Sequence, residues 1–129
     1  MTVLLDTHAF LWFVLDDPQL SVPARTLIED ATTDVLVSPA SYWEIAIKVR
    51  LGKLDLRSSY ADFMHRGIVG NNFAVLPIEP KHTTLLTTMP FHHRDPFDRL
   101  LVAQAKLEGL TMVTRDERFG EYDVDYIQA

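Results

Sequence analysis

The chain has 129 residues, of which 47% are hydrophobic and 23% charged, with a formal net charge of −6 and no cysteine. This length suits one domain with a sizeable core, and the composition is that of an ordinary soluble globular protein. Disulfides, thiolate metal sites and a cysteine nucleophile are excluded, and the acidic balance argues against a protein that coats nucleic acid with a general basic surface.

Val3–Leu5 is a short apolar run ending in Asp6, with Thr7 available to cap the next helix. Residues 10–14 (FLWFV) continue as a helix that is apolar nearly all round, so it is either buried on several sides or meets a partner. Asp16–Asp17–Pro18 is a turn, and Ser21 caps a second helix running to Ala31. Asp34–Ser38 (DVLVS) is a strand; Ser38–Pro39 then opens a heavily apolar helix to Leu51, stopped by Gly52. Ser58 or Ser59 opens another helix that ends near Gly67–Gly70. Phe73–Ile78 is a strand, and Pro80–Met89 a helix. Asp95 as cap and Pro96 as first helical residue open a helix to Gly109. Its positions 98, 101, 102 and 105 share one face, so Asp98 stands at the rim of a face otherwise built of Leu101, Val102 and Ala105. Thr111–Thr114 is a strand followed by Arg115–Asp116, and Val124–Ile127 is a last strand.

Short apolar strands alternate with helices, and no two strands are joined by a tight hairpin signal. That pattern predicts an α/β chain, a single domain over 1–129, with a parallel central sheet and helices on both faces. No apolar run is long enough for a membrane span. The start also lacks a basic region followed by a cleavable apolar segment, so a cytoplasmic protein without membrane contact is expected.

In open parallel sheets the ligand crevice lies at the carboxyl ends of the strands. Asp6 ends the first strand and Asp116 follows the strand Thr111–Thr114, so both point to that edge. Glu44 and Asp98 lie in the early turns of helices that begin near the same edge. Four carboxylates brought together repel one another unless some take protons or a cation intervenes. Oxygen-only ligands suit the hard cations Mg²⁺ or Mn²⁺. Each acid also has a purely structural account. Asp6 can be an N-cap, Glu44 can pair with Lys48 four residues on, Asp98 can cap its own helix, and Asp116 can be a turn residue.

The series LLDTHAFLW, SYWEIAIK, HRDPFDRLLVAQA and TRDERF resembles the PIN-domain ribonucleases, specifically the VapC-type toxins of prokaryotic toxin–antitoxin pairs, over essentially the whole chain. The resemblance implies a three-layer α/β/α fold around a parallel five-stranded sheet. It also implies metal-dependent cleavage of a phosphodiester in single-stranded or loop RNA. The family's metal-binding acids match Asp6, Glu44, Asp98 and Asp116, and Thr114 matches a position whose hydroxyl supports the site. Asp95 lies outside the usual four, as a ligand or as a cap alone. On the family's pattern, one or two Mg²⁺ (or Mn²⁺) ions activate a water and stabilise the leaving oxygen, about 3.5–4 Å apart if there are two. Asp6 and Asp98 are then the primary ligands, Glu44 and Asp116 bind a second ion or orient water, and Thr114 fixes a carboxylate. The products are a 5′-phosphate and a 3′-hydroxyl. A cognate VapB-like antitoxin and a homodimer are the implied partners.

His92, His93, Arg94 and Arg99 flank the Asp95 helix and are expected to touch the phosphates of RNA. Histidine ligation of a metal, by His8 or the 92–93 pair, is the less favoured reading. Lys48, Arg50, Lys53 and Arg57 form a second basic run, an RNA contact or a solvated face. Trp12, Phe13, Tyr42, Trp43, Tyr60 and Phe63 read as core for the most part, yet the first helix and the helices around 42–51 and 60–66 hold surplus apolar surface, where the resemblance implies an antitoxin segment. Two rivals stand beside the nuclease. A receiver-like phosphoacceptor domain needs paired acids after the first strand and a lysine after the last core strand; this chain offers Asp6 alone and no lysine near Val113. A catalytically silent binding protein of the same PIN fold is the other.

Overall fold

The computed structural model describes residues 1–129. Five strands, β1 (Thr2–Leu5), β2 (Asp34–Val37), β3 (Ala74–Val75), β4 (Thr111–Thr114) and β5 (Tyr126–Gln128), form one sheet in the order β3-β2-β1-β4-β5. Every pairing is parallel, and Leu5 at the end of β1 stands opposite Val37 on one side and Val113 on the other.

Alternation along the strands sorts the apolar side chains into two cores. Val3, Leu5, Val35, Val37 and Val113 face one way, onto α1 (Thr7–Val14), α2 (Val22–Glu29) and α4 (Tyr60–Met64). Phe10 and Phe63, both fully buried, meet there edge to face at 6.0 Å. Leu4 and Met112 face the other way, onto α6 (Pro96–Glu108) through Leu101, Val102 and Ala105. The helix α5 (Pro80–Leu86) packs on α6, while α3 (Pro39–Arg50) gives Ala40 to the second core and Ile45 to the first. The result is a three-layer α/β/α sandwich, as expected.

The helix starts obey the capping residues of the sequence. Ser21, Ser38, Ser59 and Asp95 each accept a backbone N–H of the first turn. For the first helix the cap is Asp6, not Thr7, which is already helical. Gly109 ends α6 with φ of 63°, a left-handed conformation that glycine adopts without Cβ strain.

Several boundaries differ from expectation, α2 among them, which ends at Glu29 and not at Ala31. The strand over Phe73–Ile78 is reduced to Ala74–Val75, because β3 pairs only with β2 and Pro77 has no N–H to extend the ladder. The helix from Pro80 stops at Leu86, where the hydroxyls of Thr83, Thr84 and Thr87 bond local carbonyls and compete with the helical ladder. The helix opened by Ser59 passes at His65–Val69 into a π-turn, closed by the Gly70 N–H on the His65 carbonyl. Gly67 in that turn lies against Phe10, whose ring is 3.0 Å from where a Cβ would stand. The last strand begins at Tyr126, two residues late.

Ser38 links the layers. Its hydroxyl caps α3 and donates to Gln104 Oε1 at 2.5 Å, while Gln104 Nε2 donates to the carbonyls of Leu76 and Pro77. Both side chains are fully buried. Ser38→Ala therefore removes a cap and leaves a buried amide oxygen without a donor. The urea midpoint should fall by the equivalent of about 1–2 kcal/mol with an unchanged slope; a loss below about 0.5 kcal/mol would show that this bond contributes nothing net.

Candidate metal centre

The strand order turns back between β1 and β4, since β2 and β3 extend the sheet to one side and β5 to the other. At such a switch point the carboxyl ends of two central strands leave a crevice. A cavity of about 370 Å³ lies there, lined by Asp6, Glu44, Asp95, Asp98 and Asp116 together with Lys48, Arg115 and Arg118. The four acids singled out in the sequence thus reach one pocket, and Asp6 is close enough for its charge to act on Asp98.

Each acid is held differently. Asp6 is 6% exposed; its Oδ1 accepts the Ala9 N–H at 2.8 Å and its Oδ2 the Thr114 hydroxyl at 2.6 Å. Burial pushes its carboxyl pKa up, against the pull of those two bonds. Glu44, also 6% exposed, accepts the Thr7 hydroxyl at 2.7 Å and pairs with Lys48 Nζ at 2.8 Å. Asp116 takes the Arg118 side chain through Nε and Nη2 (2.8 Å at the closest), and His93 Nε2 at 2.8 Å. The Arg118 guanidinium, with His93 behind it, holds the Asp116 carboxyl well below the usual carboxylate range. Thr114 supports both central acids, donating to Asp6 and accepting the Asp116 N–H at 3.0 Å.

Asp98 has no such donor. Its backbone N–H is capped by Asp95, but no group donates to its half-buried carboxylate. Burial first, then the charges of Asp95, Glu44, Asp6 and Asp116, push its pKa up to about 7. Asp95 acts as the cap of α6 and also lines the cavity, so its structural role is met whatever else it does. The donor set is rich in carboxylate oxygen, and one acid stands open toward the others. Ligand atoms of His93, Asp98 and Asp116 all lie within 4.8 Å of one another. A hard divalent cation fits this arrangement, because it offsets the mutual repulsion and supplies the partner Asp98 lacks.

Two of the expected RNA contacts are corrected. Arg99 is 7% exposed and spends its guanidinium on the carbonyls of Leu86, Met89 and Pro90, so it braces the loop before α6 and cannot reach phosphate. His93 is 2% exposed, between Asp116 and Tyr122. His92 is exposed beside Glu121, and Arg94 is exposed without an ion pair. His8 is exposed at the rim, against Trp12. The second basic run divides: Lys48 turns into the crevice, while Arg50, Lys53 and Arg57 are exposed. Trp43 is not core but 59% exposed, in line with Ile47 and Leu51. Sequence reasoning missed Thr7 as the support of Glu44, and Arg118 as the cation on Asp116. The only signals were a hydroxyl next to Asp6 and an arginine two residues after Asp116.

The raised Asp98 pKa has a consequence for stability. An acid with a higher pKa in the folded than in the unfolded chain favours folding most when protonated, so its contribution is present below about pH 4 and is lost as pH rises to about 7. Asp98→Asn should be relatively more stable than wild type at pH 8 than at pH 4, measured by metal-free thermal unfolding. Equal stability differences at both pH values would contradict the placement of this carboxylate.

The comparisons with known proteins agree with this geometry. The model of the PIN domain family matches residues 3–125. Ribonuclease VapC22 of Mycobacterium tuberculosis is 28% identical over 118 residues, covering 91% of this chain and 88% of that protein. Among solved structures, VapBC2 from Rickettsia felis, bound to a DNA fragment from its promoter, superposes with a TM-score of 0.72 at 14% identity, covering 99% of this chain and 98% of the other. FitAcB from Neisseria gonorrhoeae superposes with a TM-score of 0.65 at 21% identity, covering 98% and 96%. Sheet order, acid crevice and sequence match lead to one assignment: this chain belongs to the PIN domain family.

Proposed function

We propose that the protein is a metal-dependent endoribonuclease, the toxin of a toxin–antitoxin pair. The observation that carries this reading is the crevice in which Asp98 stands without a donor among Asp6, Glu44 and Asp116. The ribonuclease relative supports the choice of RNA as substrate. A receiver-like phosphoacceptor is not favoured, because Arg115 rather than lysine succeeds β4.

Mg²⁺ or Mn²⁺, held chiefly by Asp6 and Asp98 with Glu44 and Asp116 beside them, supplies Lewis-acid activation of water and charge neutralisation at the phosphate. The chain's own groups do the remainder. Thr114 fixes Asp6, Thr7 fixes Glu44, and the buried caps keep both carboxylates oriented before substrate arrives. Lys48, Arg115 and Arg118 line the crevice, and with His92 and Arg94 they are the groups we assign to RNA phosphates. The partner reading rests on α3, where Trp43, Ile47 and Leu51 recur every four residues and are 59%, 38% and 61% exposed. Such a stripe suits the apolar side chains of a VapB-like antitoxin helix or a second protomer.

RNA incubated with the protein should be cleaved with Mg²⁺ or Mn²⁺ and spared with EDTA, and Asp6→Asn and Asp98→Asn should each slow cleavage on the order of 100-fold or more. Near-normal cleavage by either variant would overturn the assignment. Trp43→Asp should leave cleavage intact and weaken co-purification of the co-expressed antitoxin; undiminished capture would move the partner surface elsewhere.

A further inference from the structure

His93 stands deeply buried behind Asp116, and its neighbours fix the orientation of its ring. It lies in the loop before α6, stacked on Tyr122 with ring centroids 5.5 Å apart and an interplanar angle of 11°, and tilted against Phe119 at 4.8 Å. Its backbone N–H donates to the Tyr122 hydroxyl oxygen at 2.7 Å. That same oxygen lies 3.1 Å from His93 Nδ1, while Nε2 lies 2.8 Å from Asp116 Oδ2.

A phenol carries one proton to donate. With its oxygen already accepting the backbone N–H, the Tyr122 hydroxyl gives that proton to Nδ1, its ring neighbour. Nδ1 is therefore an acceptor, and the proton of the neutral imidazole sits on Nε2, aimed at Asp116. We propose that Tyr122 and His93 form a positioning relay, in which the hydroxyl sets the imidazole tautomer and the Nε2–H fixes one oxygen of Asp116. The inference rests on the metal-centre reading above.

The other holder of Asp116 is Arg118, whose side chain is 57% exposed. An exposed pair of that kind is weak and screened by salt, and its guanidinium can leave the carboxylate when a cation or phosphate competes for it. His93 has no such freedom, packed between Tyr122 and Phe119. Asp116 thus keeps Oδ2 fixed from behind by His93 and Oδ1 fixed by the Arg118 backbone N–H at 3.0 Å, so only the Arg118 side chain is free to leave. Direct ligation by His93 would require Nε2 to lose its proton and break the bond to Asp116, so in this arrangement the ring serves the ligand and is not one. Histidine and carboxylate partners behind metal ligands change affinity by about 10–100-fold when removed.

The test uses the full chain in two measurements. In the metal-free protein, ¹⁵N–¹H correlation of the imidazoles should show neutral His93 as the Nε2–H tautomer, and Tyr122→Phe should lose the Nδ1 hydrogen-bond signature. Mn²⁺ affinity, monitored by the electron spin resonance of free Mn²⁺, should weaken by about 10-fold in Tyr122→Phe and in His93→Leu. The double variant should match His93→Leu to within about twofold, because Tyr122 acts through His93. Circular dichroism reports folding, and Tyr122→Phe keeps the ring and its packing should His93→Leu not fold. An Nδ1–H tautomer in the wild type, or unchanged affinity in folded Tyr122→Phe, overturns the relay. Loss of affinity in His93→Leu alone makes His93 a direct ligand and overturns it also. A wild-type chain that binds no Mn²⁺ overturns the metal centre itself, an outcome distinct from the others.

Discussion

Repulsion among like charges in a partly desolvated crevice is the constraint around which this molecule is arranged. Carboxylates at the ends of β1 and β4 and at the starts of α3 and α6 meet in one cavity. Placing them there would be costly if each were left alone. Asp6, Glu44 and Asp116 are instead given their own donors: hydroxyls for the two buried acids, a lysine for Glu44, an arginine and an imidazole for Asp116. The remaining strain is concentrated in Asp98, whose pKa is raised first by its burial and then by the charges of the other acids.

The same side chains also build the fold. Asp6 caps α1 with one oxygen and takes Thr114 with the other; Asp116 caps the 3₁₀ turn Glu117–Tyr122; Asp95 caps α6 at the crevice wall. A capping carboxylate has its rotamer chosen by the backbone, so capping and the side chains behind the acids preorganise the crevice together. The structural and functional accounts of these acids are therefore compatible. Glu44 makes the same point, being both the i,i+4 partner of Lys48 and a member of the crevice.

Much of this was legible in the residues. Ser38–Pro39, Asp95–Pro96 and Gly109 marked helix ends because capping chemistry is local, and Val3–Leu5 and Thr111–Thr114 marked the central strands because both their faces are apolar. The convergence of Asp6, Glu44, Asp98 and Asp116 came from the parallel topology alone. The features that stayed hidden depend on contacts far apart in sequence. Arg99 looks like any exposed helix cation until the loop carbonyls of Leu86, Met89 and Pro90 are seen around it. His93 looks like a loop histidine until Tyr122, 29 residues on, is folded over it. Trp43 reads as core by composition, yet α3 turns it outward. The π-turn at His65–Val69 leaves no pattern in a run whose helical spacing is ordinary on both sides.

The ion pairs Lys48–Glu44 and Arg118–Asp116 bear on when the protein becomes competent. With its own cations on two of its acids, the chain offsets those charges internally. On the metal-centre reading proposed above, folding and metal uptake are separable events, unlike those in small domains that collapse only around their ion. On that reading an entering cation would exchange internal partners for an external one and would compete with the proton that burial and neighbouring charges favour on Asp98. Acidity and the supply of free cation would then act as opposing controls on one and the same crevice.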